Sequence, residues 1–343
     1  MKKALLISVL ILSVSILKAA TAGNSDIEYD MLVNDIIKAS GSKGTALLYN
    51  PQNMGILYIY NSKLAIGEAW EPGSIIKIAT SIVYLNDNPS LKYKTSGYYM
   101  VYPGDLGRPR RKISSRHVRI RRGDFFPDGK MCPRGKVELS AALAYSSNSY
   151  FLAMSKKINF VKWHDFLKNS GFGDKTGYNL GLSDIIEDRG EVIFKSRFNR
   201  LMSLIGLGPH FEITAIQYAS FFASLFNGGK ILKPVKGNDE QVLKYKYDFP
   251  QGMELVYKGL KECVLSGTGK GFLVPSALEV YAKTGSTMQH KKPWKPNGWF
   301  SGVVKLKSGK MIGVLVFVKN NTSRSAKYIA ASLLRRYIRN NNL

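Results

Sequence analysis

Apolar and polar residues fall into blocks whose period changes along this chain. Thr45 to Tyr49 and Ile56 to Tyr60 are apolar, β-favouring runs joined by Asn50-Pro51-Gln52-Asn53-Met54-Gly55. That reads as strand, turn and strand. Pro72-Gly73 breaks the pattern, and Ser74 to Leu85 is then mostly apolar and free of Gly and Pro. A helix opening at Ser74 is predicted. Val137 to Ile158 returns to helical spacing, and Ile213 to Phe226 predicts a strongly apolar helix ended by Asn227-Gly228-Gly229. Leu278 to Ala282, Trp299 to Lys305 and Met311 to Val318 predict three strands, with Ser308-Gly309 turning the last pair into a hairpin. Ser325 to Ile338 closes the chain as an amphipathic helix with Ile329, Leu333 and Tyr337 on one face.

Strands therefore lie at both ends and helices fill the middle. Pairing the terminal strands gives an α+β fold, one mainly antiparallel sheet covered by helices. No internal repeat or low-complexity linker divides the chain, so residues 24–343 read as a single domain.

Composition agrees: 343 residues, 45% of them hydrophobic, suffice for a large core. The N-terminus adds a destination. Met1-Lys2-Lys3, an apolar run from Ala4 to Leu17, Lys18 and then Ala20-Thr21-Ala22 read as a signal peptide over residues 1–22. The run is shorter than the ~20 residues of a spanning helix, and an uncleaved anchor is the alternative. Export permits a disulfide between the two cysteines, Cys132 and Cys263, without implying one. Four histidines with no ligand spacing argue against a metal enzyme, and no cofactor is expected.

Net charge is +26, and one stretch is dense. Segment 104–134 reads as a basic surface insertion. Arg108, Arg110, Arg111, Lys112, Arg116, Arg119, Arg121 and Arg122 occur there with no acid among them. An exported protein seldom meets nucleic acid. Anionic membrane headgroups or acidic wall polymers are the expected partners of Arg108–Arg122. A solvated loop that repels itself is the alternative.

The candidate chemistry sits in three short motifs. In Ser74-Ile75-Ile76-Lys77 the serine opens a helix, where free N–H groups favour a developing oxyanion. Lys77, one turn on, shares its face. An ordinary lysine, with a pKa of about 10.4, is neutral in only ~1 of 2,500 molecules at pH 7. Lys77 acts as a base only if burial or another cation lowers that value. Lys283 is the candidate cation. Ser146-Ser147-Asn148 interrupts an apolar run. Ser146 is a candidate proton relay, and Asn148 a candidate for holding a substrate amide. Lys283-Thr284-Gly285 ends the strand-like segment Leu278 to Ala282. Gly285 would let substrate backbone approach, and Thr284 and Ser286 would bind a substrate carboxylate. The backbone N–H groups of Ser74 and Ser286 would form an oxyanion hole. Each motif has a plain structural reading, as an N-cap serine, a helix end or a turn. Ser40-Gly41-Ser42-Lys43 and Lys175-Thr176-Gly177 repeat two of the spellings.

With its flanks, the set resembles the transpeptidase domain of penicillin-binding proteins. Glu71-Pro72-Gly73-Ser74-Ile75-Ile76-Lys77 is similar to the family's active-serine segment. Ala141-Ala142-Leu143 through Phe151 is similar to its second motif. Gly171-Phe172-Gly173-Asp174-Lys175-Thr176-Gly177 resembles a structural stretch between the second and third motifs. Gly206-Leu207-Gly208, Thr214, Gln217, Ala219 and Asn227-Gly228-Gly229 follow as in the family, as do Gly267-Thr268-Gly269, Lys283-Thr284-Gly285-Ser286-Thr287 and Trp299-Phe300-Ser301-Gly302. The likeness spans roughly residues 45 to 335.

The resemblance implies serine acyl transfer on the D-Ala–D-Ala end of peptidoglycan stem peptides. Ser74 would be the nucleophile; Lys77, Ser146 and Lys283 would assist; Asn148, Thr284, Gly285, Ser286 and Thr287 would bind substrate. β-Lactams would acylate Ser74. The site would face the periplasm or the outer face of the bacterial inner membrane. Leu207 stands where the family usually has glutamine, and Ala215 where it usually has proline. A D,D-carboxypeptidase, a class D-like serine β-lactamase and a non-catalytic penicillin sensor share the groups. Asn148, where class D enzymes have valine, favours the transpeptidase.

Overall fold

The structure, a computed structural model, describes residues 26–38, 42–88, 92–95, 132–133, 135–178, 185–208, 210–237, 241–288 and 296–343. Residues 1–22, read from the sequence as a signal peptide, and nearly all of the basic segment 104–134 lie outside these residues.

The chain opens with helix α1 (26–38). Strands β1 (Lys43–Tyr49) and β2 (Gly55–Tyr60), helix α2 (Ser62–Gly67), a 3-10 turn (Gly73–Ile76) and α3 (Lys77–Asp87) follow. Strands β3 (Lys92–Thr95) and β4 (Gly135–Glu138) lead to α4 (Leu139–Ala144), α5 (Asn148–Met154) and α6 (Phe160–Asn169). Next come β5 (Glu191–Val192), α7 (Arg197–Leu204), β6 (Phe211–Glu212) and α8 (Ala215–Ser224). Three short strands, β7 (Lys230–Leu232), β8 (Val235–Lys236) and β9 (Leu243–Lys246), precede α9 (Met253–Leu265). The chain ends with β10 (Ala277–Met288), β11 (Pro296–Leu306), β12 (Met311–Lys319) and α10 (Ser323–Asn340).

The main sheet runs β10-β11-β12-β1-β2-β8. The terminal strands pair through β1 and β12, antiparallel from Lys43↔Lys319 to Tyr49↔Gly313. The α+β layout is therefore as the sequence predicts, with one addition: β8 joins β2 in parallel at Gly55↔Val235. Alternate residues of the central strands enter opposite cores. Val314, Val316 and Val318 face α1 and α10, where Val33, Ile37, Ile329 and Leu333 pack. Leu315 and Phe317 face the middle helices, against Ile75, Ile78 and Phe221. With both faces covered, β12 is apolar almost throughout.

Two sequence boundaries move. Val137 belongs to β4, paired with Tyr93, and the helix predicted from it begins only at Leu139 and breaks at 145–147. The helix predicted from Ser74 begins as a 3-10 turn, and α-helical bonding starts at Lys77.

Candidate active site

The turn that carries Ser74 is fixed from four sides. Gly73 adopts φ +57°, a left-handed conformation glycine tolerates, and its N–H donates to the Gly206 carbonyl at 3.0 Å. Gly206 is itself at φ +82°, and a Cβ there would overlap the Gly73 carbonyl. The buried Tyr218 hydroxyl donates to the Ile75 carbonyl at 3.0 Å. The Trp299 indole N–H donates to the Glu71 carbonyl at 3.0 Å. β10 closes the fourth side: a Cβ on Gly285 would lie 2.9 Å from Ile75 and 3.0 Å from the Pro72 carbonyl. Ser74 stays half-buried between the fully buried Gly73 and Ile75.

Lys77 points into the protein and is fully buried. Its Nζ donates to Asn148 Oδ1 at 2.7 Å and to the Ser146 carbonyl at 2.9 Å, and lies 3.4 Å from Ser146 Oγ. Two of these partners are pure acceptors. The Phe151 ring, 5.4 Å from Nζ, closes the apolar wall.

Ser146 is carried on the turn between α4 and α5, at φ +57°, a conformation uncommon outside glycine. Ser147 caps α5 by accepting from the Tyr150 N–H at 3.1 Å. Asn148 opens that helix. From the opposite side, Lys283 Nζ donates to Ser146 Oγ at 3.0 Å and to the Thr284 carbonyl at 2.9 Å. Lys283 is also fully buried. Burial pushes its pKa down to about 8, a shift that neighbouring Cys263 partly opposes.

Of the residues after Lys283 on β10, only Ser286 is exposed among Thr284, Gly285, Ser286 and Thr287. Thr284 and Thr287 are buried, with Thr284 Oγ1 donating to Thr268 Oγ1 at 2.6 Å. Ser286 is exposed and donates to Ser323 at the start of α10, at 3.1 Å. Cys132 and Cys263 are buried and are not joined in a disulfide.

Residues 44–339 match the family described as penicillin binding protein transpeptidase domain. The chain belongs to this family. A curated relative, the peptidoglycan D,D-transpeptidase FtsI homolog of Mesostigma viride, is 21% identical over 76% of the chain. The match spans about half (49%) of that relative. The fold is similar to a peptidoglycan glycosyltransferase from Burkholderia ambifaria, with a TM-score of 0.71, 16% identity and coverage of 93% of this chain and 97% of that one. It is also similar to the transpeptidase domain of Burkholderia pseudomallei penicillin-binding protein 3, with a TM-score of 0.70, 18% identity and coverage of 93% and 96%. Pseudomonas aeruginosa PBP2 gives 0.68 at 19% identity, with coverage of 91% and 76%.

This transpeptidase domain brings Lys77, Ser146, Asn148, Lys283 and Thr284 into one bonded network, with Ser74 and Ser286 on the more open side. The two repeated spellings fall elsewhere. Lys43 opens β1, while Ser40 lies outside the described residues. Thr176 and Gly177 bind the Glu187 carboxylate: Thr176 Oγ1 donates at 2.5 Å and the Gly177 N–H at 2.9 Å. Thr214 and Gln217 form a capping box on α8, and Gln217 Nε2 donates to the Asp174 and Arg189 carbonyls at 2.7 Å each. The family flanks thus serve as structural ties. The sequence alone does not mark Tyr218 or Thr268 as site residues. Gly267-Thr268-Gly269, a motif with a hydroxyl between two glycines, was the only signal that pointed toward the second.

Proposed function

We propose that the protein is a serine D,D-transpeptidase that cross-links peptidoglycan stem peptides and is acylated by β-lactams at Ser74. The observation that carries this reading is the convergence of two buried amines, Lys77 and Lys283, on the Ser146 hydroxyl. Buried amines kept at one hydroxyl suit proton transfer better than packing, since burial of the charged form is unfavourable.

In the proposed reaction, Ser74 Oγ attacks the carbonyl carbon of the penultimate D-Ala, and its proton passes to Lys77 Nζ. The N–H groups of Ser74 and Ser286 receive the oxyanion. The C–N bond to the terminal D-Ala breaks as Ser146 Oγ protonates the leaving amine, resupplied from Lys77. A stem-peptide amine then attacks the ester, loses a proton to the same relay and returns Ser74 to its hydroxyl form. Lys283, largely protonated at pH 7, holds Ser146 and draws the substrate carboxylate toward Thr284 and Ser286. Asn148 orients Lys77 through Oδ1 and keeps its amide N–H for substrate. The basic segment Arg108–Arg122 is proposed to meet anionic headgroups or wall polymers, and residues 1–22 to direct export to the periplasmic side.

The test is covalent labelling. The full chain should label with a fluorescent penicillin, and Ser74→Ala should not. Equal labelling of the variant would remove Ser74 as nucleophile. An adduct lifetime of many minutes supports the transpeptidase, and rapid turnover supports a β-lactamase. Release of terminal D-Ala without cross-linking, in the presence of acceptor stem peptide, would instead identify a carboxypeptidase.

A further inference from the structure

The first turn of α3 keeps a tighter form than the helix it opens. The Lys77 N–H donates to the Ser74 carbonyl, three residues back. Ile76 sits at φ −69°, ψ −16° and Lys77 at φ −57°, ψ −21°. Those are close to 3-10 values. Side chains three apart eclipse in a 3-10 turn, whereas in an α-helix they are offset by about 60°. The tight form therefore stacks Ser74 over Lys77. Lys77 is held at its tip by Asn148 and the Ser146 carbonyl, so the turn decides how Ser74 meets it.

A 3-10 turn has poorer hydrogen bonds than an α-helix, and α-helical bonding begins one step on. Ile76 is the N-cap of α3, and an N-cap carbonyl accepts the first α-helical bond. The Ile75 carbonyl lies one residue before it, and through this acceptor the α-helix would extend backwards. That carbonyl takes the Tyr218 hydroxyl at 3.0 Å. Gly206 and Trp299 hold Gly73 and Glu71, ahead of the serine. Tyr218 reaches the span between serine and lysine. Its own footing is firm: every residue of α8 is buried, and the Tyr218 ring packs on Phe221 and Phe222. Burial lifts its pKa well above the ordinary 10.0, and Tyr49 adds to the shift, so the hydroxyl keeps its proton.

We propose that Tyr218 is a positioning residue that holds the Ser74–Lys77 turn in its 3-10 form and so keeps the nucleophile aligned with its base. The proposal rests on the reading of the chain as an enzyme acylated by penicillin at Ser74. It predicts a loss of acylation rate without a loss of ligand binding.

The experiment uses the full chain and a fluorescent penicillin. It measures the limiting acylation rate at saturation and the concentration that half-saturates it. Tyr218→Phe removes the hydroxyl and keeps the ring. The limiting rate should fall about 10- to 100-fold, the cost of a small misplacement of reacting groups, and the half-saturating concentration should not change. Tyr218→p-aminophenylalanine keeps an N–H donor at the end of the ring and should restore most of the rate. Tyr247→Phe is the matched control. It removes another buried tyrosine hydroxyl bonded to α8, at Ser224 and 2.8 Å away, and should leave the rate unchanged. A Tyr218→Phe protein with an unchanged limiting rate, or with a raised half-saturating concentration instead, would overturn the proposal. So would equal slowing by Tyr247→Phe, or no recovery with p-aminophenylalanine. A Tyr218→Phe chain without a cooperative thermal melt would overturn it too, since the hydroxyl would then hold the fold rather than the turn. If the penicillin-acylated reading itself is wrong, the wild type will not label, a result distinct from all of these.

Discussion

Replacing Lys283 by methionine should make the protein more stable while removing its activity. Lys283 is fully buried. Burial lowers its pKa from the ordinary 10.5 to about 8, with Cys263 opposing part of the shift. A depression of that size corresponds to about 3 kcal/mol of unfavourable burial of the charged form. Below pH 8 the lysine is charged in both folded and unfolded chains, so the penalty is full. Between about pH 8 and 10.5 the unfolded chain binds more protons than the folded one, and stability rises with pH. Methionine keeps the length without the charge, but it forfeits the bonds to Ser146 Oγ and the Thr284 carbonyl. Those return about 1 kcal/mol each, leaving a net gain of about 1–2 kcal/mol at pH 7. Urea denaturation of wild type and Lys283→Met at pH 7 and pH 9.5 reads both quantities. The variant should lead at pH 7, and its lead should shrink by about 2 kcal/mol at pH 9.5 as the wild type sheds its buried proton. Using the difference between the two proteins cancels every other titrating group. A variant less stable at pH 7, or a lead that does not move with pH, would refute the reasoning. Penicillin labelling should vanish in the variant, and in the wild type it should decline above about pH 8.

Two further substitutions probe the base and the frame of the site. Lys77→Arg should abolish labelling with a fluorescent penicillin while a thermal melt stays cooperative, because arginine does not give up its proton; retained acylation would take the base role from Lys77. Gly206→Ala should cost about 2–4 kcal/mol in urea denaturation, since alanine resists a φ of +82° and its Cβ would overlap the Gly73 carbonyl. An unchanged midpoint would mean that the turn carrying Ser74 is not held by this close approach.

The parts of the fold written in local periodicity were legible in the sequence. The three C-terminal strands, the β1–β2 hairpin and α10 follow from runs of apolar residues and the turn chemistry between them. Their pairing was inferred from layout, and the β1–β12 register bears it out. What periodicity did not reveal depends on partners distant in sequence. Val137 looks helical beside Leu139 to Leu143, yet pairing with Tyr93 draws it into a strand. Nothing near Val235 announces that it will extend the sheet in parallel beside Gly55. The same division holds in the site. Ser74, Lys77, Ser146 and Lys283 could be named because their chemistry and flanks are distinctive. Thr268 could not, because a threonine becomes informative only when Ala144 and Thr284 are brought to either side of it. From its place in the motif Gly285 makes room for substrate, and in the fold it also makes room for Ile75 and Pro72.

The arrangement also explains why the candidate reactive groups are split between surface and interior. Ser74, Ser146 and Asn148 are half-buried and Ser286 is exposed, within reach of a ligand. Lys77 and Lys283 lie behind them with no exposed surface. An exposed ammonium would keep its ordinary pKa and stay charged at neutral pH. Burial lowers the pKa of Lys283 so that it gives up its proton more readily, but a buried ammonium destabilises the fold and must be held in register. The two amines are carried by α3 and β10 and meet at the α4–α5 turn, and all three are tied to their neighbours. The serine turn closes one side of β10, Thr268 bridges it to the end of α4, and the sheet behind it is packed on both faces. A site with the same side chains and looser ties would let water reach Lys283, and its pKa would return toward that of solvated lysine.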